Sequence, residues 1–327
     1  MSKKRVFVLG AGFSKSAGAP LVDEILPVAK DIFANNFNSL DSFEAEFFIN
    51  VFDYYKDLRQ ARVKVNFDID NIEELFSIID MNITHSKDSK DLITTKEALS
   101  YLILKTLEVS ISSTKYDKYY SLLKNLYSKK ANEDFSLITF NYDLILERAL
   151  ENGSCNYNYC TSPKEKPISN TQKKLLKLHG SSNWLIGKEC GHLHTLPTKA
   201  VGKLYNHLCP KDSKPTIPLL VPPTWNKRFE TAYIKNVWYH AFEELKSANT
   251  IIFIGYSLPK TDLYFRHFLT LALKDNMKLR KIIVINPDQV VKERFNIFLE
   301  ENFFRRHFSF TKAKFENLTF GEIIKGE

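Results

Sequence analysis

Apolar residues along this chain follow two different rhythms. In one they form short unbroken runs, each ended by glycine or by polar residues: Val6–Leu9, Ser136–Thr139, Leu175–Leu178, Pro218–Val221, Ile251–Ile254 and Ile282–Ile285. Runs of four or five such residues suit parallel strands buried on both faces. Helical spacing follows several of them, over Leu144–Glu151, Tyr233–Leu245, Leu263–Leu273 and Val290–Glu300. In the second of these helices Ile234, Val237, Trp238, Phe242 and Leu245 fall on one stripe. Alternating strands and helices predict an α/β fold, a doubly wound (Rossmann-like) parallel sheet.

Between the first two runs the rhythm is helical. Leu21–Phe33 reads as a helix, and Ile72, Leu75, Phe76 and Ile79 repeat at helical spacing. Thr94-Thr95-Lys96-Glu97 has the form of a capping box before a helix over Ala98–Val109, and Tyr116–Tyr127 predicts another. No strand alternation interrupts this region, which predicts a helical insertion subdomain over residues 36–130. Residues 182–215 fit neither rhythm and hold Cys190, His192, His194, His207 and Cys209, so a small irregular module is expected there. The sheet domain is then built from residues 1–35, 131–181 and 216–327.

Every strand-like run ends in candidate chemistry. Gly10-Ala11-Gly12-Phe13-Ser14 follows the first, Asn141-Tyr142-Asp143 the second and His179-Gly180 the third. Pro222-Pro223-Thr224-Trp225, Gly255-Tyr256-Ser257 and Asn286-Pro287-Asp288 follow the others. Doubly wound sheets bind ligands beyond the carboxyl ends of their strands. Gly10, Gly12, Ser14, Asn141, Asp143, His179, Ser257, Asn286 and Asp288 are therefore expected to converge on one cleft. Of 11 glycines, Gly10, Gly12, Gly18, Gly180 and Gly255 sit just after such runs, which points to a shaped site there. Glycines at the first turn would let a phosphate approach the backbone at a helix start. The third glycine of the dinucleotide fingerprint is due at position 15, where Lys15 stands. A plain tight strand-to-helix turn is the other reading.

The bulk properties narrow the class. At 327 residues, 44% hydrophobic and 26% charged, the chain has an ordinary globular composition with room for one large domain or two smaller ones. A net charge of +8 favours anionic partners such as nucleotide, nucleic acid or acidic protein. Basic residues concentrate only at Lys164–Lys177 and from Arg305 to Lys314, both read as solvated faces. Four cysteines give no dense disulfide framework. The apolar run after Lys3-Lys4-Arg5 is too short for a signal peptide, and no stretch of about 18 apolar residues suggests a membrane span. A cytoplasmic location and no membrane partner are expected.

The ordered motifs GAGFSKSAGAP, TFNYD, KLHGS, GYSL and INPD resemble the sirtuin superfamily, and within it the bacterial sirtuin-like NAD hydrolases of anti-phage defence. The resemblance implies NAD as substrate, with Gly10, Ala11, Gly12, Ser14 and Gly18 holding its diphosphate and ribose. It implies Asn141 and Asp143 at the nicotinamide ribose and nicotinamide, and His179 as the catalytic histidine. Gly255 and Ser257 would contact phosphate or ribose, and Asn286 the adenosine ribose. Phe13 either packs or flanks the nicotinamide, and Asp288 either joins the site or only caps a helix. Asp143 is either a site residue or a first-turn helix acid, and Trp225 is read as packing.

The chain departs from protein-deacylating sirtuins at three places. Leu21-Val22-Asp23 replaces their Asp-Phe-Arg, Phe140 stands where they carry glutamine, and their four-cysteine zinc ribbon is reduced to Cys190 and Cys209. Gly187 and Asp212 occupy the positions that would complete each Cys-x2-Cys pair. The expected state of this module is metal-free, with a site built from Cys190, His192 or His194, and Cys209 as the alternative. These departures favour hydrolysis of NAD itself, to nicotinamide and ADP-ribose, over acyl-lysine chemistry. The resemblance further implies an NADase that depletes NAD in abortive infection. It would be restrained in a homo-oligomer or by a second defence protein (an ATPase, nucleotide-processing or nucleic-acid-sensing subunit). The competing readings are an NAD-dependent deacylase and a non-catalytic nucleotide sensor or nucleic-acid-binding subunit.

Overall fold

In the computed structural model the described residues are 3–35, 40–59, 71–111, 117–128, 134–162, 172–200, 204–221, 231–260 and 262–324. In chain order the first half contains β1 (Lys4–Leu9), α1 (Ala11–Ser14), α2 (Ile25–Asn35), α3 (Ser42–Arg59), α4 (Ile72–His85), α5 (Lys90–Ser110), α6 (Asp117–Ser128), β2 (Asp134–Thr139) and α7 (Ile145–Asn152). Then come β3 (Tyr157–Asn158), β4 (Lys173–Lys177), β5 (Gly180–Gly187), β6 (Leu193–Thr195), β7 (Thr216–Leu220), α8 (Ala232–Ser247) and β8 (Thr250–Ile254). The chain closes with α9 (Leu263–Lys274), β9 (Lys281–Ile285), α10 (Val290–Phe298), α11 (Glu301–His307), β10 (Phe308–Thr311) and α12 (Phe320–Ile324).

Seven strands form a parallel sheet in the order β10-β9-β8-β1-β2-β4-β3, flanked by helices. The fold is the doubly wound, Rossmann-like one that the apolar runs predict. β1 sits at its centre because both of its faces and both of its edges are covered. Val6, Phe7 and Val8 are fully buried, and the strand pairs with β2 on one edge and β8 on the other. From β1 the chain builds β2, then β3 at the edge and β4 between the two, and afterwards crosses back to build β8, β9 and β10 on the opposite side. The direction of winding therefore reverses between β1 and β8, the place where such sheets hold ligands.

The chain divides into two compact units. One comprises Met1–Ala17, Ser113–Gly180 and Arg228–Glu327 and contains the seven-stranded sheet. Here α6 packs on α7 and α12, and α8 packs on α9 and β4. The other comprises Gly18–Ser112 and Ser181–Lys227. In it α5 packs against α2, α3, α4 and β7, and the Tyr101 hydroxyl donates to the Thr216 carbonyl at 3.3 Å. The boundaries thus place α2 with the other helices and α6 with the sheet. They group residues 181–227 with the helices rather than leaving them as a module of their own.

Several local expectations are corrected. The run Pro218–Val221 contributes to β7, which belongs to a separate three-stranded sheet, β6-β5-β7, not to the parallel one. The segment expected to be irregular carries β5 and β6 of that sheet. Its strand was hidden because Ser181, Ser182 and Asn183 are polar yet buried, so β5 shows neither alternation nor an apolar run. The capping box at Thr94–Glu97 is overrun: α5 already begins at Lys90. Thr94 and Thr95 instead donate back to the carbonyls of Lys90 and Asp91, the bond that threonine makes inside a helix. β10 is an edge strand of the parallel sheet. Phe308 and Phe310 lie on β10, where Phe308 stacks on Phe304 at 4.4 Å and packs beside Phe295. Trp225 and its neighbours from 222 to 230 lie outside the described residues.

Candidate functional site

The residues that follow β1, β2, β4, β8 and β9 occupy the carboxyl edge of five adjacent strands. Their geometry is set first by two interlocking glycine turns. Gly10 donates its N–H to the Ile254 carbonyl at 3.0 Å, and Gly12 donates to the Gly255 carbonyl at 3.0 Å. A Cβ on Gly255 would come within 2.2 Å of the Phe13 nitrogen, and one on Gly12 within 2.9 Å of the Gly255 Cα. Gly255 also has φ +63°, a left-handed conformation that favours glycine. These glycines are required by each other. The amides of Gly10, Gly12 and Phe13 donate to the carbonyls of Ile254, Gly255 and Gly10.

Asn141 is fastened into the same turn. Its Nδ2 donates to the Gly10 carbonyl at 2.9 Å and to the buried Ser14 hydroxyl at 2.8 Å. Its own N–H donates to the Thr139 hydroxyl at 3.1 Å. Both amide hydrogens of the side chain are therefore committed, and the Gly10 carbonyl fixes which end of the amide is the donor. The Oδ1 is left as the acceptor that Asn141 can offer to a ligand or water. Asp143 lies two residues on, 7% exposed, with Oδ1 accepting from the Ile145 N–H at 3.1 Å. It closes the turn before α7, one residue ahead of the N-cap Leu144 and so outside the helix's first turn, where Glu147 is the acid.

His179 follows β4 and is 5% exposed. Its ring meets the edge of Phe140 with centroids 5.2 Å apart and lies 6.2 Å from the Tyr142 ring. Phe140 in turn stacks on Tyr256 at 4.6 Å and meets Phe265 at 4.7 Å. An aromatic floor thus runs from the loop after β2 to the loop after β8 and fixes the imidazole in a low-dielectric setting. Gly180, with φ +86°, makes the turn that lets the chain leave β4 for β5.

Beyond β8 and β9, Asn286 is buried. Its Nδ2 donates to the Tyr256 carbonyl at 3.5 Å, and its Oδ1 accepts from the Asp288 N–H at 2.9 Å. Asp288 is exposed and accepts from the Val290 N–H at 3.0 Å, so it organises the start of α10. The Ser257 carbonyl accepts from Arg294 at 3.0 Å. Ser257 itself is half-buried at the loop that follows Gly255.

Not every predicted residue joins this group. Phe13 is 1% exposed, with its ring against Tyr119 and Phe315 at 5.0 and 4.5 Å, which is the packing role. Gly18 belongs to the other unit. Its φ of +101° and the Ser110 carbonyl, 2.5 Å from where a Cβ would lie, account for the glycine there. Ala11 opens α1 and is half-buried. Sequence reasoning missed Lys177. The basic run ending there reads as solvated, yet Lys177 is 1% exposed and pairs with the buried Glu147 at 2.8 Å. A lysine two residues before a strand-end histidine, with a glutamate inside the preceding helix α7, was the available signal.

Among the described residues one group has metal-ligand geometry. Atoms of Cys190, Cys209 and Asp212 lie within 4.8 Å of one another, and the two sulfurs are 3.4 Å apart. The histidine of the alternative set is replaced here by a carboxylate. Asp212 is held below its ordinary pKa, first by the Cys190 thiol. A Cβ on Gly187 would stand 2.6 and 3.1 Å from the two sulfurs, so the fourth direction of a closed tetrahedral site faces a residue without a side chain. The donor set falls one ligand short of a structural zinc site. His194 nearby is kept below its ordinary pKa by burial, with His192 and His207 adding to the effect.

Comparison with known proteins agrees with this architecture. A family profile described as SIR2-like domain matches residues 135–306, more than half of the chain. No curated protein matches. Among solved structures, a Sir2 homologue with a serine-to-alanine mutation, in complex with ADP-ribose, is 17% identical with a TM-score of 0.52. That likeness covers 99% of this chain and 92% of the other. A Sir2 structure with a p53 peptide and NAD+ is 15% identical with a TM-score of 0.46, covering 97% and 90%.

Proposed function

The chain belongs to the SIR2-like domain family, and from that premise we propose that it is an NAD glycohydrolase, cleaving NAD to nicotinamide and ADP-ribose. The observation that carries the reading is the pairing of Asn141 and His179. They follow adjacent strands, β2 and β4, beside the reversal of winding at β1 and β8. A Sir2 homologue of this fold is known in complex with ADP-ribose, which is one product of the proposed reaction.

In the proposed reaction the bond between ribose C1′ and the pyridinium nitrogen breaks, and both electrons go to nicotinamide, which leaves neutral. The ribose passes through an oxocarbenium-like state and is captured by water, which loses one proton. The leaving group needs no acid. The chain must instead supply a base and hold the attacking oxygen. His179 is the base, towards water or a ribose hydroxyl. Asn141 accepts a hydrogen bond through Oδ1 and so orients that water or hydroxyl. Gly255 and Ser257, with Asn286 and Asp288 beyond them, serve the adenosine side.

Phe140 supports hydrolysis over deacylation. Its ring is locked between Tyr256 and His179, where deacylating sirtuins carry a polar glutamine. In a cell the activity would deplete NAD as an anti-phage effector, restrained by self-assembly or by a second defence protein until infection. Among the described residues no helix is long and apolar enough to cross a membrane. The test is incubation of the purified chain with NAD, alone and with proteins encoded beside it, following nicotinamide and ADP-ribose. Stoichiometric release supports the reading. Turnover only with an acyl-peptide would make the chain a deacylase, and binding of NAD without turnover would make it a sensor.

A further inference from the structure

Lys177 and Glu147 are a buried ion pair that the proposed chemistry does not use. Lys177 is the last residue of β4, and Glu147 lies in the first turn of α7. The ammonium donates to Glu147 Oε1 at 2.8 Å, to the Tyr142 carbonyl at 3.4 Å and to the Asp143 carbonyl. Three acceptors match its three hydrogens. The same Glu147 oxygen accepts from the Tyr159 hydroxyl at 2.9 Å. Burial holds the Glu147 carboxyl above its ordinary pKa, against the opposing pull of the Lys177 charge.

Taking two charges out of water is costly, and an apolar pair of similar volume often serves stability as well. The placement of the acceptors gives this pair a use. Two of them are consecutive carbonyls of the loop that begins at Asn141. The lysine itself lies two residues before His179. One side chain therefore ties the loop carrying the water-orienting amide to the strand that delivers the base.

We propose that Lys177 is a positioning residue: its buried ammonium, neutralised by Glu147, holds the loop of residues 141–143 against the end of β4 and so sets the geometry between Asn141 and His179. The inference rests on the reading of this edge as an NAD-cleaving site. A fixed mutual placement of base and substrate-orienting group governs the chemical step far more than ground-state binding. Loss of the tie should therefore lower kcat and leave KM nearly unchanged.

The test uses the full chain with the double substitution Lys177→Met and Glu147→Leu, which removes both charges and keeps the volume. Steady-state kinetics on NAD are run beside nitrogen-edited NMR of the His179 imidazole, assigned by difference from His179→Ala. The expected result is a kcat at least tenfold lower, a KM within about threefold of wild type, and shifted imidazole resonances. A folded double variant with wild-type kcat overturns the proposal, and so does a fall in kcat matched by an equal rise in KM. If the wild-type chain itself leaves NAD intact, the glycohydrolase reading fails and the imidazole spectrum alone decides the tie. Shifted resonances then support it, and unshifted ones overturn it. If the double variant does not fold, Lys177→Arg takes its place, because it keeps the charge but alters reach and shape. A lower kcat at constant KM supports the proposal there, and an unchanged kcat ends it.

Discussion

The switch point of the large sheet and the cysteine cluster of the small one are both built around glycines, and the glycines do opposite things. At the switch point Gly12 and Gly255 are filled space: each removes a Cβ that would strike the other's backbone. Polar groups around them are committed, down to both amide hydrogens of Asn141. At the cluster of Cys190, Cys209 and Asp212, Gly187 faces the two sulfurs and supplies no fourth ligand. A glycine at a site therefore says little until its Cβ direction is known. In one region it permits a tight constellation, and in the other it leaves a constellation incomplete.

The sharpest way to break this comparison is to remove the side chains that the first region exists to hold. His179→Ala and Asn141→Ala should each lower nicotinamide release by roughly two to four orders of magnitude. Circular dichroism and melting should show a folded protein. If folded His179→Ala keeps near-normal turnover, the edge of the sheet is not a catalytic one.

Next in size is the backbone interlock. Gly255→Ala adds a methyl within 2.2 Å of the Phe13 nitrogen at φ +63°. Clash and left-handed strain together should cost roughly 2–4 kcal/mol of stability in a denaturant titration. Gly12→Val should fail for the same reason, by loosening the turn before any ligand is met. Gly191 is the control, with φ +62° and open space at its Cβ. Gly191→Ala should cost only the conformational part, about 1–2 kcal/mol. Equal costs at Gly255 and Gly191 would remove the argument for an interlock.

Smaller effects are expected from the cluster. Cys190→Ser and Cys209→Ser should each change stability by about 1 kcal/mol and leave nicotinamide release as it was. A chelator should not shift the melting temperature. A shift of several degrees would mean that three donors suffice to hold an ion. Smallest of all is Asp288→Ala at the exposed start of α10. It should cost about 0.5–1 kcal/mol and leave the catalytic constant unaltered, because the carboxylate is engaged with the Val290 N–H.

What the sequence made legible follows from burial. Val6–Leu9, Ile251–Ile254 and Ile282–Ile285 are buried on both faces, and a fully buried strand must be apolar throughout, so composition alone marks it. The carboxyl-end clusters followed from those strands by topology. β5 escaped because its buried side chains start with two serines and an asparagine, Ser181–Asn183, before Trp184 and Leu185, with Asn183 donating to the Leu196 carbonyl 13 positions away. Lys177 escaped because a basic residue in a basic run looks solvated until its partner 30 positions away is placed beside it. The strand over Pro218–Val221 was visible, but nothing in four apolar residues says which of two sheets will receive them.

The central position of β1 also sets a timetable. Residues 4–9 find one partner at 134–139 and the other at 250–254, and the turn after them closes only on Gly255. A chain emerging from the ribosome at roughly 5–20 residues per second spends about 12–50 seconds between making the first glycine turn and making its counterpart. Throughout that interval the earliest segment of the protein lacks the backbone it must lock against. The switch point therefore cannot assemble on any nascent fragment that stops short of β8.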